Sequence, residues 1–249
     1  MTALAEVDDL AAEQRAIQAL VREISPEEWL RPTPSWGWDV RDTIAHLADT
    51  DEVATATMTG APGSLSDRRD LAQSSEDVTY RGVLRGRKMS GSDVLAWWER
   101  AAAGERDVLG ALEPQTRVPW GLGMKPRSFV SARVMETWAH GLDVHAALGV
   151  EPHDTDRLAH VAWLATRALP YAYSVAGREQ PPGPLRVELT LPSGAVWSDG
   201  PEDAPNRITG PAAQYCRVFV QRLPLDQARD VVAHGEAARS ALEVARAYL

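Results

Sequence analysis

The spacing of apolar residues along the chain changes from a helical to an alternating pattern at about residue 180. Before this point, apolar positions recur every three or four residues, which is typical of amphipathic helices. We predict such helices over residues 3–23, 39–58, 92–112, 127–148 and 154–173. After it, apolar and polar positions alternate within LRVELTL and within AVWSD, which lie on either side of the turn PSG. This pattern predicts a strand, a turn and a strand. We also predict helices over residues 211–222 and to Leu249, with a short strand near 228–233.

The segment GREQPPGP, residues 177–184, separates the two patterns, and its glycines and prolines are typical of a linker. We therefore expect a helical bundle over residues 1–176 and a small α+β domain over residues 177–249. The fold class expected is α+β, mainly α. Residues 59–91 are rich in Gly, Ser, Asp and Arg, so we expect a long connection with little regular structure, which could cover a site.

Composition and charge exclude several classes of protein. The 249 residues, 44% of them hydrophobic, are enough for one large domain or two smaller ones. The net charge of -9 argues against a nucleic-acid partner, because phosphate binding needs clustered Lys and Arg. With Cys216 as its single cysteine, the chain can form no internal disulfide and no Cys-x-x-Cys metal site. No apolar run has the length of a signal core or a membrane span, so we expect a cytoplasmic protein without a membrane partner.

Candidate metal ligands lie in the segment METWAHGLDVHAALG of the predicted helix 127–148. Glu136 and His140 are four residues apart, so both side chains leave the same helix face, one turn apart. A carboxylate and an imidazole at this spacing can bind one transition metal. An exposed ion pair is the commoner explanation of such a pair, but the apolar neighbours favour a face turned into a bundle. Asp143 lies one further turn along and could orient His140 by accepting a hydrogen bond.

A third candidate ligand, His46, lies in DVRDTIAHLADTDEV, on a helix that Asp39 is expected to cap. A hydrogen-bonded core histidine is the alternative explanation for this residue. Together with Glu136 and His140, it would form a set of two histidines and one carboxylate. Three protein ligands leave one coordination position open, as catalytic zinc sites do, and the same donors suit iron or another divalent ion.

The residues around these ligands resemble a known family. W-x-V-R-D-x-x-A-H-L (Trp38 to Leu47) and E-x-W-x-H-G-x-D (Glu136 to Asp143) are similar to motifs of the mycothiol-dependent maleylpyruvate isomerase branch of the DinB superfamily. The resemblance implies a DinB-like four-helix bundle followed by a C-terminal α+β domain. It also implies zinc on His46, Glu136 and His140. Only Lys88 and Lys125 of the 26 basic residues are lysine. Because lysine codons are AT-rich, this bias indicates a GC-rich genome, and we expect an actinobacterial source.

The same resemblance implies mycothiol as a thiol cofactor or co-substrate, with its sulfur at or near the open metal position. Zinc lowers the pKa of a thiol, and the thiolate can add to an alkene or displace a leaving group. By the same resemblance, Arg222 is assigned as a catalytic arginine that faces the site and binds a carboxylate. A solvated helix end is the alternative for Arg222. Cys216 is expected to pack in a core, and Trp120 is expected to contact a ligand.

Three functions remain open at this point. The first is a mycothiol-dependent isomerase or S-transferase that acts on a small electrophilic molecule. The second is a metal enzyme on the same scaffold that uses no thiol and hydrolyses or rearranges its substrate. The third is a non-catalytic protein that binds a small molecule and keeps a vestigial metal site. The expected partners are a small-molecule substrate and a low-molecular-weight thiol, while the substrate, the metal and the oligomeric state are not fixed by the sequence.

Overall fold

The computed structural model describes residues 5–70, 75–121 and 123–247. Contacts between Cα atoms divide the chain into two compact units, Met1–Pro152 and His153–Leu249. The first unit is helical and the second combines helices with one sheet, so the predicted α+β class with mainly α-helix is confirmed. Among the residues that the structure describes, no helix is both long enough and apolar enough to cross a membrane.

The described part of the first unit contains six α-helices and a short 3-10 turn at Glu28–Leu30. The helices are α1 (Ala5–Arg22), α2 (Val40–Thr59), α3 (Leu65–Asp70), α4 (Ser75–Gly86), α5 (Gly91–Ala111) and α6 (Pro126–Leu148). Helix α2 packs against α5 and α6, and α1 packs against the same two helices. These four long helices form the bundle that the sequence predicts.

Helix α2 begins where the sequence places its cap. The Asp39 carboxylate accepts a hydrogen bond of 2.7 Å from the backbone N–H of Asp42. The Asp42 carboxylate in turn accepts one of 3.4 Å from the backbone N–H of Asp39. This reciprocal pair satisfies two N–H groups that a helix start leaves without intrahelical partners, and such a cap contributes ~1 kcal/mol to stability. Helix α6 ends at Leu148, and the residue that caps it, Gly149, has a φ of 69°, which suits glycine.

Two clusters of buried apolar residues fill the bundle. The first lies between α2 and α5 and includes Ile44, Leu47 and Trp98. The second joins α1, α5 and α6 through residues such as Leu10, Leu109 and Phe129. The core therefore extends along the bundle, and the tryptophans Trp97 and Trp98 of α5 are almost fully buried in it.

The prediction of a long irregular connection over residues 59–91 was wrong, because this segment contains α3 and α4. Helix α4 lies against α2, and two glycines one turn apart make the close approach possible. A Cβ atom at Gly82 would overlap the Cβ of Asp49, and one at Gly86 would overlap the Cβ of Ala45. Gly82 and Gly86 contributed to the composition that predicted a loop, but in the structure they are sites of contact between two helices.

Within the described residues, the second unit contains one four-stranded sheet, four short α-helices and a 3-10 turn at Leu225–Gln227. The helices and strands are α7 (Leu158–Arg167), α8 (Leu169–Ala176), β1 (Leu185–Thr190), β2 (Val196–Asp199), β3 (Asn206–Pro211), α9 (Ala212–Phe219), β4 (Val232–His234) and α10 (Glu236–Glu243). The strand order is β2-β1-β3-β4. Strands β1 and β3 are parallel, with Val187 opposite Ile208, and the two edge strands are antiparallel to their neighbours.

Three features of the second unit differ from the prediction. Strand β3 was not predicted, because Gly210 and Pro211 at its end are typical of a turn. The single helix expected over 154–173 is two helices, α7 and α8, and Pro170 opens the second of them. Helix α7 packs on α9, so residues 153–176 belong to the second unit, whereas we expected the boundary at residue 177.

Candidate metal centre

Helices α2 and α6 bring the three predicted ligands together. His46 lies on α2, while Glu136 and His140 lie on α6. One ligand atom from each residue can be chosen so that all three lie within 4.8 Å of one another. The residues His46 and His140 are each 8% exposed. A convergence of two imidazoles and a carboxylate in a mostly buried position is the arrangement that the sequence predicts.

The separations between the ligand atoms fit a divalent ion. His46 Nε2 lies 2.8 Å from Glu136 Oε1, and His140 Nε2 lies 3.7 Å from the same oxygen. On a tetrahedral zinc with bonds of about 2.0–2.2 Å, two ligand atoms lie about 3.4 Å apart. The two observed values lie on either side of this distance, and all three donors lie within 4.8 Å of one another, so the three side chains are close enough to share one divalent ion.

Asp143 and Ser35 orient one of the imidazoles. His140 Nδ1 lies 3.2 Å from Asp143 Oδ2, and the Ser35 hydroxyl donates a hydrogen bond of 3.0 Å to the same carboxylate oxygen. A carboxylate beside Nδ1 favours the tautomer with its proton there, which leaves the Nε2 lone pair available to a metal. The contact of Asp143 was predicted. The contact between Ser35 and Asp143 was not predicted, because no pattern in the sequence relates two residues that are 108 positions apart.

Trp38 forms one wall beside the ligands. Its ring centroid lies 5.0 Å from that of His46 and 5.9 Å from that of His140. The loop that carries Trp38 is fixed by a backbone hydrogen bond from Thr33 N–H to the Trp38 carbonyl and by one from the Arg87 guanidinium to the Gly37 carbonyl. No role at the site was predicted for Trp38, although it is the first residue of the motif that contains His46.

The electrostatics of the site favour the protonation states that a metal needs. Burial lowers the pKa of His46, and the hydrogen bond to Glu136 offsets only part of this effect. Burial raises the pKa of Glu136, but the hydrogen bond from His46 and the nearby His140 and Arg133 outweigh it and hold that pKa far below its usual range. At neutral pH, His46 is therefore neutral and Glu136 is ionised, and these are the ligating forms.

Three further residues for which the sequence predicts a role are Arg222, Cys216 and Trp120. Arg222 belongs to the second unit and follows the end of α9, where its Nη1 donates a hydrogen bond of 2.9 Å to the Val220 carbonyl. Its catalytic role stays a prediction. Cys216 is fully buried, as expected, and burial raises the pKa of its thiol well above the usual range. Trp120 packs against Phe129, and its predicted contact with a ligand also stays a prediction.

Comparison with known proteins found one matching family model and two matching curated sequences. The family model for the mycothiol maleylpyruvate isomerase N-terminal domain matches residues 10–145, which include all three candidate ligands. An uncharacterized protein of Mycobacterium tuberculosis, found in two strains, is 37% identical over 243 residues, which cover 97% of this chain and 94% of the relative.

Two solved structures are similar to this chain. They are crystal structures of the mycothiol-dependent maleylpyruvate isomerase and of a histidine-to-alanine mutant of it, at 16% and 15% identity. Each aligns with a TM-score of 0.60 over 92% of this chain and 91% of the other. At this level of identity, the similarity establishes a common fold.

Proposed function

Because this chain belongs to the family of the mycothiol maleylpyruvate isomerase N-terminal domain, we propose that it is a metal-dependent enzyme that uses mycothiol as its thiol cofactor or co-substrate. The reaction is an isomerisation or a thiol transfer on a small electrophilic molecule, and the family favours the isomerisation. The single observation that carries the proposal is the convergence of His46, Glu136 and His140 within 4.8 Å.

The donor set supports zinc as the metal. Two imidazole nitrogens and one carboxylate oxygen are ligands of catalytic zinc sites, which keep a fourth position for a substrate or cofactor. Bound zinc supplies a positive charge that stabilises the thiolate form of a thiol at neutral pH. Since Glu136 is the only charged ligand of the three, the ligands cancel one of the two zinc charges, and the remaining charge favours an anionic sulfur.

The surrounding residues define what this chain contributes to such a reaction. Asp143 holds the His140 ring in the orientation that directs Nε2 at the shared point. Trp38 covers one side of the two imidazoles and limits the directions from which water and substrate approach. A thiolate supplies a nucleophile that adds reversibly to an electrophilic alkene, which is the chemistry that a cis–trans isomerisation requires.

The experiment is a turnover and metal assay on the whole protein and on His46→Ala. Purified protein is assayed for bound zinc and for conversion of maleylpyruvate, with and without mycothiol, and for thiol transfer to chlorodinitrobenzene. We expect about one zinc per chain and activity that requires the thiol. In His46→Ala we expect both to be lost, while His153→Ala, which changes an exposed histidine outside the trio, retains both.

The outcomes separate the three functions. Turnover that does not need mycothiol would establish the thiol-independent metal enzyme instead. Zinc binding without turnover of either compound would favour the small-molecule-binding protein. A wild-type protein that binds no divalent metal would reject the proposal as a whole.

A further inference from the structure

Close to the candidate metal centre, a cluster of buried polar side chains joins all four helices of the bundle. Gln14 lies on α1, Asp51 on α2, Glu105 on α5 and Arg133 on α6. Gln14, Asp51 and Glu105 have no exposed surface, and Arg133 is 3% exposed. Charged side chains are rarely buried to this degree unless they are paired, so the cluster calls for a physical explanation.

The guanidinium of Arg133 links two carboxylates on two other helices. Its Nη2 donates a hydrogen bond of 2.6 Å to Asp51 Oδ1, and its Nε donates one of 2.8 Å to Glu105 Oε1. The planar fork of arginine offers several donors in fixed directions, which a lysine ammonium does not. Arg133 therefore links α6 to both α2 and α5.

The remaining oxygens of the two carboxylates are also hydrogen-bonded. Gln14 donates from Nε2 to Asp51 Oδ2 at 3.2 Å and to Glu105 Oε2 at 3.3 Å. Trp98 donates to Asp51 Oδ2 at 3.0 Å. Burial raises the pKa of both carboxyl groups, most of all that of Glu105. A network with every oxygen satisfied has one favoured geometry.

The cluster lies next to the ligands along both helices that carry them. Asp51 follows His46 by five residues on α2, and Arg133 precedes Glu136 by three residues on α6. At 1.5 Å per residue these offsets are about 7.5 Å and about 4.5 Å along the helix axes. The bond between Asp51 and Arg133 thus crosses the α2–α6 interface about one turn from the point where His46 meets Glu136.

We propose that Arg133 is a positioning residue for metal binding, which acts with Asp51 to hold α2 and α6 at the separation and register that the three ligands require. This inference rests on the metal centre of the proposed function. Buried ion pairs stabilise a fold little more than apolar residues of the same volume would. Stability alone therefore does not explain why a buried ion pair is present here. Such a pair can instead fix the register of two helices.

The test measures zinc affinity, by competition with a chromophoric chelator, on variants whose folding is checked by circular dichroism and thermal unfolding. Arg133→Lys keeps the charge but cannot reach both carboxylates, and Asp51→Asn keeps the volume but removes the charge pair. We expect each to weaken zinc binding by about 10–100-fold. Glu105→Gln, which keeps the shape of the side chain, an acceptor for Arg133 Nε and the bond between Arg133 and Asp51, should stay within about twofold of wild type.

Leu109→Ala is the control for a purely structural role, because Leu109 is fully buried on α5 in the second apolar cluster. It should lower the unfolding temperature and leave the zinc affinity of the folded protein unchanged. If Arg133→Lys and Asp51→Asn behave like Leu109→Ala, the positioning role is refuted while the metal centre stands. If wild type itself binds no zinc, the proposed function fails together with this inference. Should Arg133→Lys not fold, the zinc affinity of Asp51→Asn decides the question.

Discussion

The Nε2 atom of His46 lies 2.8 Å from the Oε1 atom of Glu136, although 90 positions separate the two residues in the sequence. The contact crosses the interface between α2 and α6, one turn of α6 before His140. It places both imidazoles of the site against one carboxylate. Metal binding at this site depends on this contact between the two helices.

His140→Ala should abolish tight zinc binding. The loss of one of three protein ligands leaves a two-ligand site, and we expect affinity to fall at least about 100-fold. His145→Ala is the matched control, because His145 lies on the same helix but its Nδ1 is 3.1 Å from the Val150 carbonyl. Zinc content by atomic emission and chelator competition both measure the effect. Equal losses in the two variants would contradict the assignment of His140 as a ligand.

Asp143→Ala should weaken zinc binding without abolishing it. The carboxylate orients His140 from a buried position, and removal of such a partner costs about 10–100-fold in metal affinity. Ser35→Ala should have a smaller effect of the same sign, because Ser35 acts on His140 through Asp143. The control is Asp107→Ala, an exposed position on α5. Wild-type affinity in Asp143→Ala would show that the His140 ring needs no such support.

The metal-free protein should lose stability as the pH falls below the ordinary histidine pKa of about 6.5. Burial lowers the pKa of His46 in the folded state, so the unfolded chain binds more protons once the pH falls below the ordinary histidine value of about 6.5. The free energy of unfolding is therefore unaffected by His46 above about pH 6.5, the ordinary histidine pKa, and decreases as the pH falls below it. Urea unfolding across this range should show a shallower pH dependence in His46→Ala. Parallel curves for the two proteins would contradict the shift.

Gly82→Ala and Gly86→Ala should destabilise the first unit. A Cβ at either position overlaps a side chain of α2, and overpacking of this kind costs ~1–3 kcal/mol. Gly104→Ala is the control, since Gly104 lies inside α5 with no atom within 4 Å of an added Cβ, and alanine should stabilise the helix there by ~0.5–1 kcal/mol. Urea unfolding gives both values. A neutral result at Gly82 and Gly86 would mean that α4 does not pack against α2 as described.

Arg222→Ala should lower turnover and leave zinc affinity unchanged, because an arginine that binds a substrate carboxylate acts on the substrate and not on the metal. Arg229→Ala, at an exposed position of the same unit, is the control. The values of kcat and KM for maleylpyruvate, measured with mycothiol, report the effect. Unchanged kinetics in Arg222→Ala would show that its assignment from the family resemblance is wrong.

The sequence by itself determined the local features of this protein. The four-residue spacing of Glu136 and His140, the capping box of Asp39 and Asp42, and the C-terminal glycine at Gly149 all act within one or two helical turns. Residues a few positions apart in one helix have nearly fixed relative positions, so these features could be predicted from the sequence. The motif around His46 added the third ligand by resemblance to a family.

Only the tertiary structure decided which distant residues meet. The contacts of Ser35 and Trp38 with the site, the link from Arg133 to Asp51 and Glu105, and the packing of α4 on α2 all join segments far apart in sequence. Glycine illustrates the difference: the same residue permits a turn in isolation and a close helix contact when another helix lies beside it. Packing selects between such alternatives because burying apolar area outweighs weak local preferences, and that burial exists only once the whole bundle has formed.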